Sequence, residues 1–256
     1  ERGDYAEDLA REQAVAEYRA QLMDVLSHEV QNPLTAILQN AELLLTEDHH
    51  DEITIHGLEA IQRGARRIEA MGRDLLVLAR VGRPDRPLDQ VVDLVAVARE
   101  VLDLLATEAT NRDVRLVLDA DDGELLVAGD AQDLDALVSN LVANAIKYSE
   151  AGGRVEVRLH RADGLMRIQV SDQGVGIDEE DRARVFEEFF RSRDPRVRER
   201  PGTGLGLAIA DRAATRHGGT IEVSSSSEEG TRFVVALPRW PANGQEAAVD
   251  RLPSIQ

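Results

Sequence analysis

The sequence predicts two structural units: an all-α helical hairpin, closing as a four-helix bundle in a dimer, followed by an α/β sandwich. Three observations carry this. Apolar residues recur at helical spacing along two stretches before residue 82. A Pro/Gly segment, Gly82-Arg83-Pro84-Asp85-Arg86-Pro87, then breaks the pattern. Beyond it, stretches of alternating apolar and polar residues interleave with further amphipathic helices, as expected of half-buried strands in a mixed fold.

The first helix of the hairpin carries Leu22, Leu26, Leu34, Ile37, Leu38, Ala41, Leu44 and Leu45 on one stripe. It is expected to end near residues 46–51. The second helix is expected over 54–82, with Leu58, Ile61, Ala65, Ile68, Met71, Leu75 and Leu78 spaced alternately three and four apart, as in a coiled-coil seam. A single two-helix hairpin buries too little surface to stand alone, and pairing two copies covers both stripes. A homodimer is therefore expected, although the seam is also able to pack on another part of the same chain. Residues 1–21 read as a helical lead-in, 83–89 as the linker, 90–238 as the second unit, and 239–256 as a disordered tail.

In the second unit, strands are expected at 91–94, 114–118, 125–128, 154–160, 165–171, 220–224 and 231–237. Helices are expected at 95–110, 130–148 and 205–216. The expected arrangement is one sheet with helices on one face.

Bulk composition excludes several classes. The chain has 256 residues and a net charge of 30 − 48 = −18, which disfavours a nucleic-acid surface. It has no cysteine, so neither a disulfide framework nor a thiolate metal site is available. No run of 18 apolar residues is present, so this segment is expected to make no membrane contact. His49 and His50 lack further ligands at suitable spacing and read as loop residues. The chain begins at Glu1 without methionine, which suggests a fragment of a longer protein.

The chemistry-bearing residues fall in five groups. Within the first helix, Ser27-His28-Glu29-Val30-Gln31-Asn32-Pro33-Leu34 places a carboxylate about 100° around the axis from an imidazole, and an amide one turn along. Neutral imidazole is a good nucleophile near pH 7. In the 130–148 helix, Asn140, Asn144 and Lys147 share a face at spacings of four and three. Amide oxygens suit Mg²⁺, and an ammonium suits phosphate. After a strand comes Ser171-Asp172-Gln173-Gly174-Val175-Gly176-Ile177. The Asp172 carboxylate is able to accept from an exocyclic amine, and the glycines admit close backbone approach. Three of the chain's four phenylalanines, Phe186, Phe189 and Phe190, precede five arginines within residues 191–200. Finally, Gly202-Thr203-Gly204-Leu205-Gly206-Leu207 opens a helix, where backbone N–H groups favour anions. It lacks the Gly-Lys-Ser/Thr of a Walker A loop and the spacing of a Rossmann fingerprint.

Together these segments resemble the H, N, G1, F and G2 boxes of sensor histidine kinases, in the family's order, over roughly residues 15–238. The resemblance implies a dimerisation and histidine-phosphotransfer hairpin followed by the ATP-binding fold (Bergerat type) shared with type II topoisomerases, Hsp90 chaperones and MutL proteins. It implies that His28 accepts the γ-phosphoryl group of ATP with Glu29 as its proton partner, and that Asn32 positions a water for dephosphorylating the regulator. It implies that Asn144, supported by Asn140, binds Mg²⁺, that Lys147 meets phosphate and that Tyr148 lies near base or sugar. Asp172, Gly174, Gly176 and Ile177 would hold the adenine end. Arg191 would reach the γ-phosphate, and Gly202, Thr203, Gly204, Leu205, Gly206 and Leu207 would close the ATP lid. Phe190 stands where the family often has Tyr, which removes one hydroxyl. The implied partner is the receiver domain of a response regulator. The implied location is cytoplasmic, with any membrane anchor upstream. The alternatives are an ATPase of the same superfamily, a non-catalytic scaffold, and a kinase-dead phosphatase.

Overall fold

The computed structural model describes residues 52–81, 83, 86–226 and 230–240, with Gln31, Leu34, Thr35, 37–39, Ala41, Glu42 and Leu45 of the preceding segment. These last residues are helical, and the Thr35 hydroxyl donates to the Gln31 carbonyl at 2.9 Å. His28, Glu29, Asn32, the 1–21 lead-in and residues 241–256 lie outside the described residues.

Helix α1 spans Glu52–Val81. Gln31 packs on it at Gly72, where a Cβ would lie 3.9 Å from Gln31 Cγ, so the two hairpin arms meet there. Ile61 and Ile68, seven residues apart, are 51% and 47% exposed on the single chain. The C-terminal end of α1 behaves differently. Leu78 and Val81 are buried in the same core as the α/β unit, and each contributes about 2 kcal/mol by the usual scale of apolar burial.

The α/β unit runs β1 (Gln90–Asp93), α2 (Leu94–Asn111), β2 (Arg115–Ala120), β3 (Leu126–Gly129), α3 (Ala131–Tyr148), β4 (Arg154–Ala162) and β5 (Leu165–Asp172). It continues with short helices α4 (Glu179–Arg182) and α5 (Pro195–Arg198), then α6 (Gly206–Arg216), β6 (Thr220–Ser226) and β7 (Gly230–Pro238). Asp93 caps α2 through Val95 N–H, and Asp130 caps α3 through the N–H groups of Gln132 and Asp133. Short polar side chains at these positions satisfy donors that the first helical turn leaves free.

The seven strands form two sheets rather than the expected one. Five pair in the order β2-β4-β5-β7-β6, and β1 and β3 pair separately and antiparallel. Among the described strands, only β2 and β4 run parallel. Alternation marks a segment as a strand but carries no information about its partner, and β1 and β3 have just four residues each. Val155, Val157 and Leu159 of β4 face the helices together with Met166, Ile168 and Val170 of β5 and Phe233, Val235 and Leu237 of β7. Trp240, within the stretch expected as a tail, is placed by its N–H, which donates to the Leu126 carbonyl at 2.9 Å.

One charged knot ties the linker to this unit. Arg86 pairs with Asp130 and lies 3.4 Å from Asp133. Arg216, at the end of α6, pairs with Asp133 and donates to the Arg86 carbonyl at 2.6 Å. Asp133 is fully buried, so losing Arg216 would leave its charge facing only the more distant Arg86. Beside the knot, His217 Nε2 accepts from Asp130 N–H at 3.0 Å, and its Nδ1–H donates to the Ala213 carbonyl at 2.7 Å. That tautomer is neutral, and burial, the largest cause, pushes its pKa below the usual 6.5. Below pH 6.5 the unfolded chain therefore takes up a proton that the folded chain refuses, so stability is lost as pH falls through that value. Denaturant titrations from pH 7.5 to 5.5 should show a steeper loss for wild type than for His217→Gln. Equal slopes would mean that His217 is not held neutral.

Candidate nucleotide site

A cavity of about 270 Å³ opens between α3, the turn after β5, the segment from residue 185 to α6, and α1. Its floor follows from the two faces of α3. Leu134, Leu137, Leu141 and Ile146 are fully buried against the sheet, which turns Asn140, Asn144 and Lys147 into the cavity. Asn140 commits its amide N–H to the Ala136 carbonyl at 2.7 Å, leaving Oδ1 as the outward atom. A Cβ at Gly206 would sit 2.6 Å from that oxygen, so the start of α6 approaches this closely only because the residue is glycine.

At the next turn, burial pushes the Lys147 ammonium down to about 8, and the nearby guanidinium of Arg191 adds to the effect. Its Nζ lies 4.6 Å from the centroid of the Tyr148 ring. A lysine destabilised in its charged form gains more from an incoming anion than a solvated one does.

Asp172 ends β5 and is buried. Its Oδ1 accepts from Gly174 N–H at 2.8 Å, while burial raises its pKa to about 6. At neutral pH it remains a carboxylate with acceptor capacity to spare. Gly174 and Leu205 are not among the residues lining the cavity. Gly174 bridges to Ser149, and Leu205 is fully buried in the core. Gly176, Ile177, Gly202, Thr203, Gly204 and Leu207 do line it.

The phenylalanines divide three tasks. Phe186 meets Phe233 edge-to-face with ring centroids 6.3 Å apart. Phe190 lines the cavity under the Arg184 guanidinium at 4.5 Å. Phe189 is exposed at φ 63, and its N–H donates to the Gly204 carbonyl at 2.9 Å. This clamps the two ends of the 190–204 segment together. Gly204 itself has φ +80, and a Cβ there would lie 2.7 Å from the Phe189 carbonyl carbon.

The basic run is only partly free. Arg191 lines the cavity, but its guanidinium donates to the carbonyls of Val197 at 3.2 Å, Arg198 at 3.4 Å and Arg200 at 2.6 Å. Arg200 donates to the carbonyls of Lys147 and Ser149, stapling the segment to the end of α3. Arg196 pairs with Asp194 at 2.6 Å. Several lining residues had no sequence signature, Asp178, Val185 and Thr231 among them, and Ala70 and Asp74 reach the cavity from α1. Nothing in the local sequence of these last two distinguishes them from an ordinary helix surface.

A sequence model described as histidine kinase-, DNA gyrase B-, and HSP90-like ATPase matches residues 129–241. One described as the His Kinase A (phospho-acceptor) domain matches 18–84. The sensor histidine kinase RppB of Synechocystis sp. is 36% identical over 219 residues, 83% of this chain and 47% of that protein. The chain spans about half the length of the curated relatives it matches. The solved structure of the mycobacterial sensor histidine kinase MprB is 34% identical with a TM-score of 0.53, over 60% of this chain and 99% of that one. The structure of full-length ShkA in complex with AMPPNP is 28% identical with a TM-score of 0.65, over 86% of this chain and 46% of that one. The chain belongs to the sensor histidine kinase family, with a phospho-acceptor helical region followed by an ATPase domain.

Proposed function

We propose that this chain is an ATP-dependent protein-histidine autokinase that phosphorylates His28 and passes the phosphoryl group to an aspartate of a response regulator. The observation that carries the reading is the convergence of Asn140, Asn144, Lys147, Asp172 and the 202–207 glycines on one cavity. The family matches and the AMPPNP complex of the relative ShkA support it. Residues 22–82 form the dimerisation and phosphotransfer unit in this reading, and 90–238 the catalytic unit. The exposed Ile61 and Ile68 favour burial against a second copy. Among the described residues no helix is long and apolar enough to cross a membrane.

Asp172 accepts from the adenine amine, and Tyr148 packs beside base or sugar. Lys147 lies against the phosphates, and the lid glycines offer backbone N–H groups to them. Asn144 and Asn140 fit Mg²⁺ as neutral oxygen donors, and the ion supplies charge neutralisation on the phosphates. Arg191 must leave the lid carbonyls to reach the γ-phosphate. The His28 imidazole nitrogen forms the N–P bond as the bond to the β,γ-bridging oxygen breaks, and ADP departs with that oxygen. Glu29 takes or orients the other ring proton. Gln31, three residues further along the sequence, packs at Gly72 of α1, close to the two α1 residues that line the cavity. Asn32 supplies an amide that positions water for dephosphorylating the regulator.

Incubation with γ-labelled ATP and Mg²⁺ should label wild type in an acid-labile, alkali-stable form, and His28→Ala should lose at least about 99% of it. Label persisting in the variant, or ATP turnover without label, would point to an ATPase instead. Nucleotide affinity should also carry the Lys147 titration. The bound phosphates favour the ammonium, so affinity falls as pH rises above about 8. Calorimetry from pH 7 to 9.5 should show proton uptake on binding at the alkaline end. Lys147→Arg should flatten the profile, and an unchanged profile would remove Lys147 from the phosphate site.

A further inference from the structure

The cavity already holds an anion of the protein's own. Asp74 enters it from α1, and its Oδ2 accepts from the Thr203 hydroxyl at 2.5 Å. The same Thr203 oxygen accepts from Leu205 N–H at 3.2 Å, so the Asp74 carboxylate is tied to the start of α6. Arg73 and, more weakly, Lys147 are the cations whose charge reaches it, and Lys147 is also the cation of the α3 face. Burial raises the Asp74 pKa, as expected of a carboxylate that gives up water for one hydroxyl. Asp74 is held there by the docking of α1, through buried Leu78 and Val81 and the Arg212 guanidinium, which donates to the Leu78 carbonyl at 3.4 Å.

We propose that Asp74 is a built-in competitor for the nucleotide's phosphates, so that seating of α1 on the lid and binding of a triphosphate oppose each other. The inference rests on the nucleotide-site reading given above. The Thr203 hydroxyl serves one anion at a time, and here it serves the Asp74 carboxylate. A nucleotide brings charge of the same sign into a half-desolvated cavity, where like charges repel more strongly than in water. ATP carries one more negative charge than ADP, so the docked helix discriminates against ATP more than against ADP. Coupling between two binding events is reciprocal: ATP weakens the seat of α1 by the same factor by which the seat weakens ATP. Loading the site thereby loosens the hairpin from the ATPase unit, and the spent ADP allows it to return.

Asp74→Asn tests this directly. The amide keeps the shape and an acceptor for Thr203 and removes only the charge. Calorimetry on the full chain with Mg²⁺ should show a non-hydrolysable ATP analogue bound about tenfold tighter by the variant than by wild type. ADP should gain clearly less, so the ATP-to-ADP affinity ratio rises. Asp74→Ala, which also loses the hydrogen bond, should move the ratio in the same direction. A merely structural contact would shift both nucleotides equally, and an unchanged ratio in both variants would overturn the proposal. Weaker ATP binding by Asp74→Asn would also overturn it, by making the carboxylate a ligand-binding group. Failure of wild type and variants alike to bind either nucleotide would overturn the nucleotide-site reading together with this one.

Discussion

The two-faced seat of α3 is the constraint on which the rest of the structure depends. One side of the helix is fully buried against the five-stranded sheet. Packing on that side fixes its rotation, because an interior at near-crystalline density tolerates little twisting of a helix. The rotation in turn decides where Asn140, Asn144 and Lys147 point. The helix position along its axis is set at the other end, where Asp130 caps it and the Arg86–Asp133–Arg216 knot holds its first turn. A small rotation of α3 would carry three polar groups out of register with Asp172 and with the glycines before α6. The polar face costs little stability because it opens on a cavity rather than on the core.

A second level of organisation is the contact between the hairpin and the ATPase unit. The last turns of α1 bury Leu78 and Val81 in a core otherwise built from the α/β unit. The middle turns place Asp74 on the lid threonine. The first is an apolar contact insensitive to charge, and the second is a single charged hydrogen bond at the cavity. An interface with this division is able to respond at one end while holding at the other. Arg191 and Arg200 tie down the 191–204 segment, since both donate to carbonyls of that segment or of the end of α3.

How much of this was legible in the sequence depends on the range of the interaction concerned. The α3 face was readable because Asn140, Asn144 and Lys147 repeat at helical spacing against a leucine stripe. The strand segments were readable from alternation, and β1 and β3 were located within a residue or two. Their separation into a second sheet was not, because pairing is a long-range property. Asp74 and Ala70 were invisible for the same reason: they become site residues only when α1 docks about 130 positions away from Thr203 in sequence. Leu205 shows the opposite limit. It stands inside a glycine motif and was expected at the ligand, but its side chain turns inward to the core. The role of Arg191 as a knot for the lid carbonyls was also hidden, since a basic run says nothing about which guanidinium folds back.

Three segments distant in sequence, 140–148, 172–177 and 191–207, line one cavity that we read as a nucleotide site. Amide hydrogen exchange on the full chain, with and without a non-hydrolysable ATP analogue and Mg²⁺, addresses that reading most directly. The nucleotide should slow exchange in all three segments together, with the same concentration dependence, and leave β6 unchanged. Protection confined to one of them, or centred elsewhere in the chain, would contradict it.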